Sequence, residues 1–225
     1  MIMDIHSHTY YSNCGRDNPK DIINAAVNGG IEVFGISDHN YNVGEKLERY
    51  KTEILNLKEE YKGKIKLLLG LELATVPNLN FTEPWLLDDF DYCLLEHIDR
   101  IDSTVGLDVP EYRKDFKCEF GIAHTDLIDL ARIKGLDPLK FLTYFAENNI
   151  FWEMNVNYDS VHNYNEHGYV KRFIKSKEEQ DIARKSGIKI SVAFEGHRVE
   201  DYNPKRVIDM CRFLEENNLP MKTFK

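Results

Sequence analysis

Short β-branched and aliphatic runs alternate along the chain with longer segments whose apolar positions recur at helical spacing, the pattern of successive βα units. The runs predict seven strands, near residues 2–7, 32–37, 64–73, 92–97, 119–124, 151–155 and 189–193. Helices are predicted near residues 19–28, 45–61, 110–116, 138–148 and 176–185, with a last one at 204–217. Asn18-Pro19, Asp137-Pro138 and Asn203-Pro204 each place a capping side chain before a proline at the first helical position, while Gly29-Gly30 and Gly187 stop two helices ahead of the next strand. Two connections break the rhythm. Residues 76–91, with Pro77, Pro84 and Trp85, suggest an irregular insertion or small hairpin, and residues 155–175 read as a long loop rich in Asn, Tyr and His that shapes a substrate pocket. No fixed-period repeat, low-complexity tract or linker is visible, and a chain of 225 residues suits one α/β barrel domain over residues 1–225.

The polar residues that interrupt this pattern carry the chemistry. Six of the eight histidines fall within a residue or two of a predicted strand end, beginning with Asp4-Ile5-His6-Ser7-His8. Side chains two apart on a strand share a face, so His6 and His8 can present two imidazoles to one ion. His39 in GISDHN, Glu72 in LLLGLELA, His97 in YCLLEHID, His124 in EFGIAHTD, and Glu195 with His197 in SVAFEGHR repeat the placement. In a parallel βα barrel all strand C-termini open onto one face, where residues distant in sequence converge. Histidine and carboxylate together suit zinc, manganese or iron, and a carboxylate such as Glu72 can bridge two ions that share a hydroxide.

Composition narrows the partners. With 42% hydrophobic and 30% charged residues the chain is too apolar for general disorder. A formal charge of −9 argues against a nucleic-acid or anionic-membrane footprint and favours a small ligand, drawn if anionic by bound cations. Cys14, Cys93, Cys118 and Cys211 form no CxxC, which suggests reduced thiols and a cytoplasmic protein. No export signal is read, and the longest apolar runs, around residues 67–69, fall far short of the roughly 20 residues of a membrane span.

The segments DIHSHTYYSNCG, GISDHN, GLEL, LLEHID, GIAHTD and EGH resemble the successive motifs of the PHP superfamily (polymerase and histidinol phosphatase), and LLEHID and AHTDL look most like its histidinol-phosphatase branch. The resemblance implies a distorted (β/α)7 TIM-like barrel with two or three divalent ions at the C-terminal ends of the strands. It implies that His6, His8, Glu72 and Glu195 surround one ion, that Glu72, His97 and His124 hold a second, and that His39 and His197 belong to a third. The chain departs from the family twice. Where the third ion's remaining histidine is expected the sequence reads Tyr11-Ser12-Asn13-Cys14, so Cys14 or Asp17 substitutes or the site is weak, and Glu195 stands where the family usually has aspartate.

The reaction so implied is hydrolysis of a small phosphate monoester, histidinol-phosphate-like, through a metal-bridging hydroxide. Asp126, His162 and His167 are candidate acids for the leaving group, and Arg16, Lys171, Arg172 and above all Arg198 are candidate phosphate grips. Asp4 and Asp38 read as acceptors that orient imidazoles. Two rivals stand beside this reading: an amidohydrolase-like metal hydrolase, since barrel and metals can equally activate water towards a carbonyl, and a catalytically decayed PHP domain with a structural or regulatory role, suggested by Glu195 and Cys14.

Overall fold

The computed structural model of the protein describes residues 1–79 and 83–224. Its seven strands are β1 (Met3–Asp4), β2 (Val33–Ile36), β3 (Lys66–Ala74), β4 (Tyr92–Glu96), β5 (Glu119–Ile122), β6 (Ile150–Asn155) and β7 (Ile190–Ala193). All are parallel and pair in chain order from β1 to β7. The ring closes between the last strand and the first: Ile5 N donates to Val192 O at 3.2 Å, His8 N to Gly196 O at 2.8 Å and Gly196 N to His6 O at 3.2 Å. The result is the (β/α)7 TIM-like barrel implied by the motifs.

The described helices are α1 (Pro19–Asn28), α2 (Asn40–Val43), α3 (Leu47–Glu60), α4 (Val109–Tyr112), α5 (Leu127–Ile133), α6 (Pro138–Glu147), α7 (Gly168–Lys175), α8 (Lys177–Ser186) and α9 (Pro204–Glu216). Asn18 and Asp137 cap as read, accepting from Asp21 N at 3.0 Å and Lys140 N at 2.9 Å, and Ser176 accepts from Glu179 N at 3.2 Å, whereas Asn203 precedes Pro204 without a side-chain bond to the first turn of α9. Gly187 ends α8 in a left-handed conformation (φ 73°) that a side chain would disfavour. Three helices depart from the sequence reading, the first being α2, which opens directly behind His39. α5 begins directly behind the AHTD motif, and α7 occupies part of what reads as one loop over residues 155–175. In the 76–91 connection the described residues form a single turn of 3₁₀ helix, Pro84–Leu87, rather than a hairpin, and residues 80–82 lie outside the description.

Strands β2 to β7 are buried over nearly their whole length, as befits a sheet covered on both faces. Inside the barrel, large rings lie against glycines: a Cβ on Gly70 would sit 2.2 Å from Tyr92 Cζ, and one on Gly121 would sit 2.1 Å from Phe151 Cε2. Tyr92 also donates its hydroxyl to Ile5 O at 2.5 Å, tying β4 across the interior to the segment that leads into the first histidines. No described helix is long and apolar enough to cross a membrane.

Candidate metal centre

The strand ends deliver the polar residues to one place. His6 and His8 follow β1, His39 caps α2 after β2, Glu72 lies in β3, Glu96 ends β4, His124 follows β5, and Glu195 and His197 follow β7. His97 (φ 66°), His124 (φ 20°) and Glu195 (φ 55°) all have left-handed backbones, a conformation that costs a non-glycine residue about 1–3 kcal/mol and turns the chain sharply where the strand ends. Asn157 holds one of these turns by donating to Phe194 O and Glu195 O, each at 3.2 Å.

Glu72 is the hub. Its Oε2 lies 3.3 Å from His6 Nε2, 3.5 Å from His8 Nε2 and 2.9 Å from His39 Nδ1, while its Oε1 lies 3.0 Å from His124 Nε2. Although three imidazole nitrogens crowd Oε2, none meets it with hydrogen-bond geometry, and the atom is buried without a partner. His8 Nδ1, His39 Nδ1 and Glu96 Oε1 are buried without partners as well. Buried polar atoms are nearly always satisfied, so converging orphans of this kind fit a cation that would accept their lone pairs. Among the described residues, five triads have ligand atoms within 4.8 Å of one another: His6, His8 and Glu195; His8, His39 and Glu72; Glu72, Glu96 and His124; His8, Cys14 and His197; and Asp159, His162 and His197.

Seven of the eight candidate ligands therefore come together: His6, His8, His39, Glu72, His124, Glu195 and His197. His97 stands apart, its side chain 35% exposed and its Nε2 2.9 Å from Glu96 Oε2, and Glu96 takes the place beside Glu72 and His124. At the third position Cys14 joins His8 and His197, whereas Asp17 accepts from Val199 N at 2.7 Å and braces a loop. Asp126 caps α5 and is bound through both oxygens by Arg172, at 2.8 and 2.6 Å, and Arg172 also reaches Glu179. Arg16 pairs with Glu200 and Lys171 with Glu166. Arg198 donates to Ser160 Oγ at 3.1 Å and keeps a buried, unpartnered Nε. His162 and His167 flank Glu195, each with Nε2 3.7 Å from one of its oxygens.

The carboxylates that orient imidazoles are ones the sequence reading passes over. Glu153 of β6, fully buried, meets His6 Nδ1 at 2.8 Å and accepts from His124 N at 2.7 Å. Asp159 meets His197 Nδ1 at 2.8 Å and His162 Nδ1 at 3.0 Å. Each fixes which ring nitrogen faces the cluster. Asp4 and Asp38 hold backbone and hydroxyl groups instead: Asp4 accepts from Phe194 N and the Tyr202 hydroxyl, Asp38 from Thr9 N and its hydroxyl.

A model of the PHP domain matches residues 4–214. The chain belongs to the PHP domain family. No curated protein matches the sequence. Among solved structures, this PHP domain resembles the histidinol phosphate phosphatase of Lactococcus lactis, determined with zinc, L-histidinol and phosphate, at 16% identity and a TM-score of 0.62 over 100% of this chain and 97% of that one. It also resembles a candidate histidinol phosphatase from Listeria monocytogenes, at 14% identity and a TM-score of 0.59 over 89% of this chain and 97% of that one. At these identities the likeness is one of fold.

Electrostatics complete the PHP site. Burial works against charge throughout it, yet the imidazoles around Glu72 hold that carboxyl well below its usual range, and His124, with His167 and His6, does the same for Glu195. Burial would likewise lower the histidines, but Glu72 and Glu153 keep His6 well above its ordinary value, and carboxylate neighbours raise His124 and His197 to about 9. His8 is the exception, pushed well down by burial and by the surrounding imidazoles. Protons on the raised His6, His124 and His197 would therefore compete with a cation for the same nitrogens.

Proposed function

We propose that this PHP protein is a metal-dependent phosphoesterase that hydrolyses a small phosphate monoester, of the histidinol-phosphatase-like kind. The observation that carries the reading is Glu72, a buried carboxylate surrounded by four imidazoles with one oxygen left unpartnered. His6, His8, Glu72 and Glu195 would hold one ion, and Glu72 and His124 would contribute to a second. Divalent cations bound there would polarise a phosphoryl group and acidify water. Family membership, the fold shared with histidinol phosphate phosphatases and the triads of potential ligands support this reading.

The chain's own residues set the rest. Glu153 and Asp159 lock His6 and His197 so that ligand nitrogens need no reorganisation on binding. Arg198, next to His197 and with an unspent Nε, is placed to receive phosphate oxygens. His162, with Nδ1 held by Asp159 and Nε2 towards Glu195, is the better-placed proton donor for a leaving alkoxide; both oxygens of Asp126 are committed to Arg172. The test is release of inorganic phosphate from a panel of phosphate monoesters, histidinol phosphate among them, by protein stripped with chelator and reloaded with zinc or manganese. Metal-dependent release that is lost in Glu72→Gln supports the function. Metal-loaded protein that releases no phosphate from any ester would refute it.

A further inference from the structure

The two ends of the cluster differ in chemistry. At one end Cys14 joins His8 and His197, a sulfur and two imidazoles. At the other, Glu72 and Glu96 join His124, two carboxylates and one imidazole. Each end also holds a buried side chain with an atom that no protein group satisfies: His8 Nδ1 at the first, Glu72 Oε2 and Glu96 Oε1 at the second. The sequence provides neither arrangement through the motif histidines alone. Cys14 stands where a histidine is expected, and Glu96 lies beside Glu72 while His97 turns outward.

We propose that these ends select different cations: a thiophilic ion, zinc, on Cys14, His8 and His197, and a harder ion, manganese, on Glu72, Glu96 and His124. The proposal rests on the metal-centre reading of the proposed function and adds to it which ion goes where. Thiolate ligands favour zinc, whereas carboxylate oxygens suit manganese, so one centre with both donor sets discriminates by donor type rather than by overall affinity. Glu72 and Glu96 are both nearly fully buried and His39 Nδ1 lies 2.9 Å from one and 3.3 Å from the other, so two carboxylates share a small volume that a divalent cation would neutralise. Glu96 has spent Oε2 on His97, leaving Oε1 for that ion. At the other end the Cys14 thiol loses its proton to solvent as the sulfur–zinc bond forms.

The remaining cysteines make the test clean. Cys93, Cys118 and Cys211 are 0%, 3% and 1% exposed, while Cys14 is partly accessible, so a thiol reagent applied to the folded, metal-free chain reports on Cys14. Chelator-stripped protein is incubated with equimolar zinc and manganese, desalted and analysed for both metals, and cobalt is substituted in parallel to read thiolate-to-cobalt charge transfer in the near ultraviolet. The proposal expects both metals to be retained, Cys14 to react about tenfold or more slowly with zinc bound but not with manganese alone, and the cobalt band to be present. Cys14→Ser should lose the band and zinc while keeping manganese, and Glu96→Gln should lose manganese while keeping the band. Zinc filling the whole centre with Cys14 still fully reactive, or no cobalt band in the wild-type protein, overturns it without recourse to any variant. Both ions bound as stated but no ester cleaved would defeat the proposed function instead, and ester cleavage by a zinc-only protein with reactive Cys14 would defeat this inference alone.

Discussion

Glu153 shows how much of the site depends on a residue that need not touch a ligand ion. Its two oxygens fix the His6 ring and the His124 backbone from inside β6. Removing its charge should loosen metal binding by about 10- to 100-fold, as loss of such orienting partners generally does. Competition with a fluorescent chelator on Glu153→Gln checks this, and wild-type affinity in the variant would show that the contact does not orient His6. The same residues set a pH dependence. His124 and His197 stand at about 9 against an ordinary 6.5, because neighbouring carboxylates outweigh the burial that opposes their charge. A raised histidine stabilises the fold fully below its unfolded value and ceases to do so as pH climbs through its folded one. The thermal midpoint of metal-free protein should therefore fall between pH 6.5 and about 9, while metal affinity rises over the same window as protons leave the ligands. Calorimetry across that range decides it, and a midpoint that rises there would contradict the assignment.

The elements are legible in the sequence to the extent that a local pattern dictates them. β2 to β7 announce themselves as aliphatic runs, and α1, α6 and α8 by caps that the structure confirms. α7 is missed because the polar, aromatic composition of residues 155–167 colours its surroundings, although Tyr169, Val170 and Phe173 lie at helical spacing and are its buried face. Glu96 and Glu153 were findable too, as charged residues inside strands otherwise wholly apolar or buried. What no local pattern shows is that the chain turns left-handed at His97 and swings its ring away from Glu72, an outcome of the backbone at the strand end. Asp126 is likewise an element-scale residue: it caps α5, so Asp126→Ala should cost about 0.5–2 kcal/mol in urea unfolding, and an unchanged midpoint would deny the cap its role. Inside the barrel, Gly70→Ala must push Tyr92 aside and should destabilise by about 1–3 kcal/mol by the same measurement, whereas a neutral outcome would mean that the ring has room to move.

At the scale of the whole molecule the barrel gathers the candidate ligands from both ends of the chain, so metal bound there would be coupled to the fold. His6 and His197 reach one cluster only because the segment after β1 pairs with the segment after β7. An ion bound to that cluster clamps the closure of the barrel, and at a hundred times its dissociation constant it should add about 2.7 kcal/mol of stability. The repelling and attracting charges of the centre are buried too deeply for salt to screen, so this gain should survive moderate ionic strength. The most direct measurement is a crystal structure of the zinc- and manganese-loaded protein with anomalous data collected at both absorption edges. Anomalous peaks should lie among His6, His8, Glu72 and Glu195 and between Glu72 and His124, with a further zinc peak beside Cys14, His8 and His197. Crystals soaked in both metals that show no anomalous density among these side chains would contradict the metal centre and the hydrolytic function built on it.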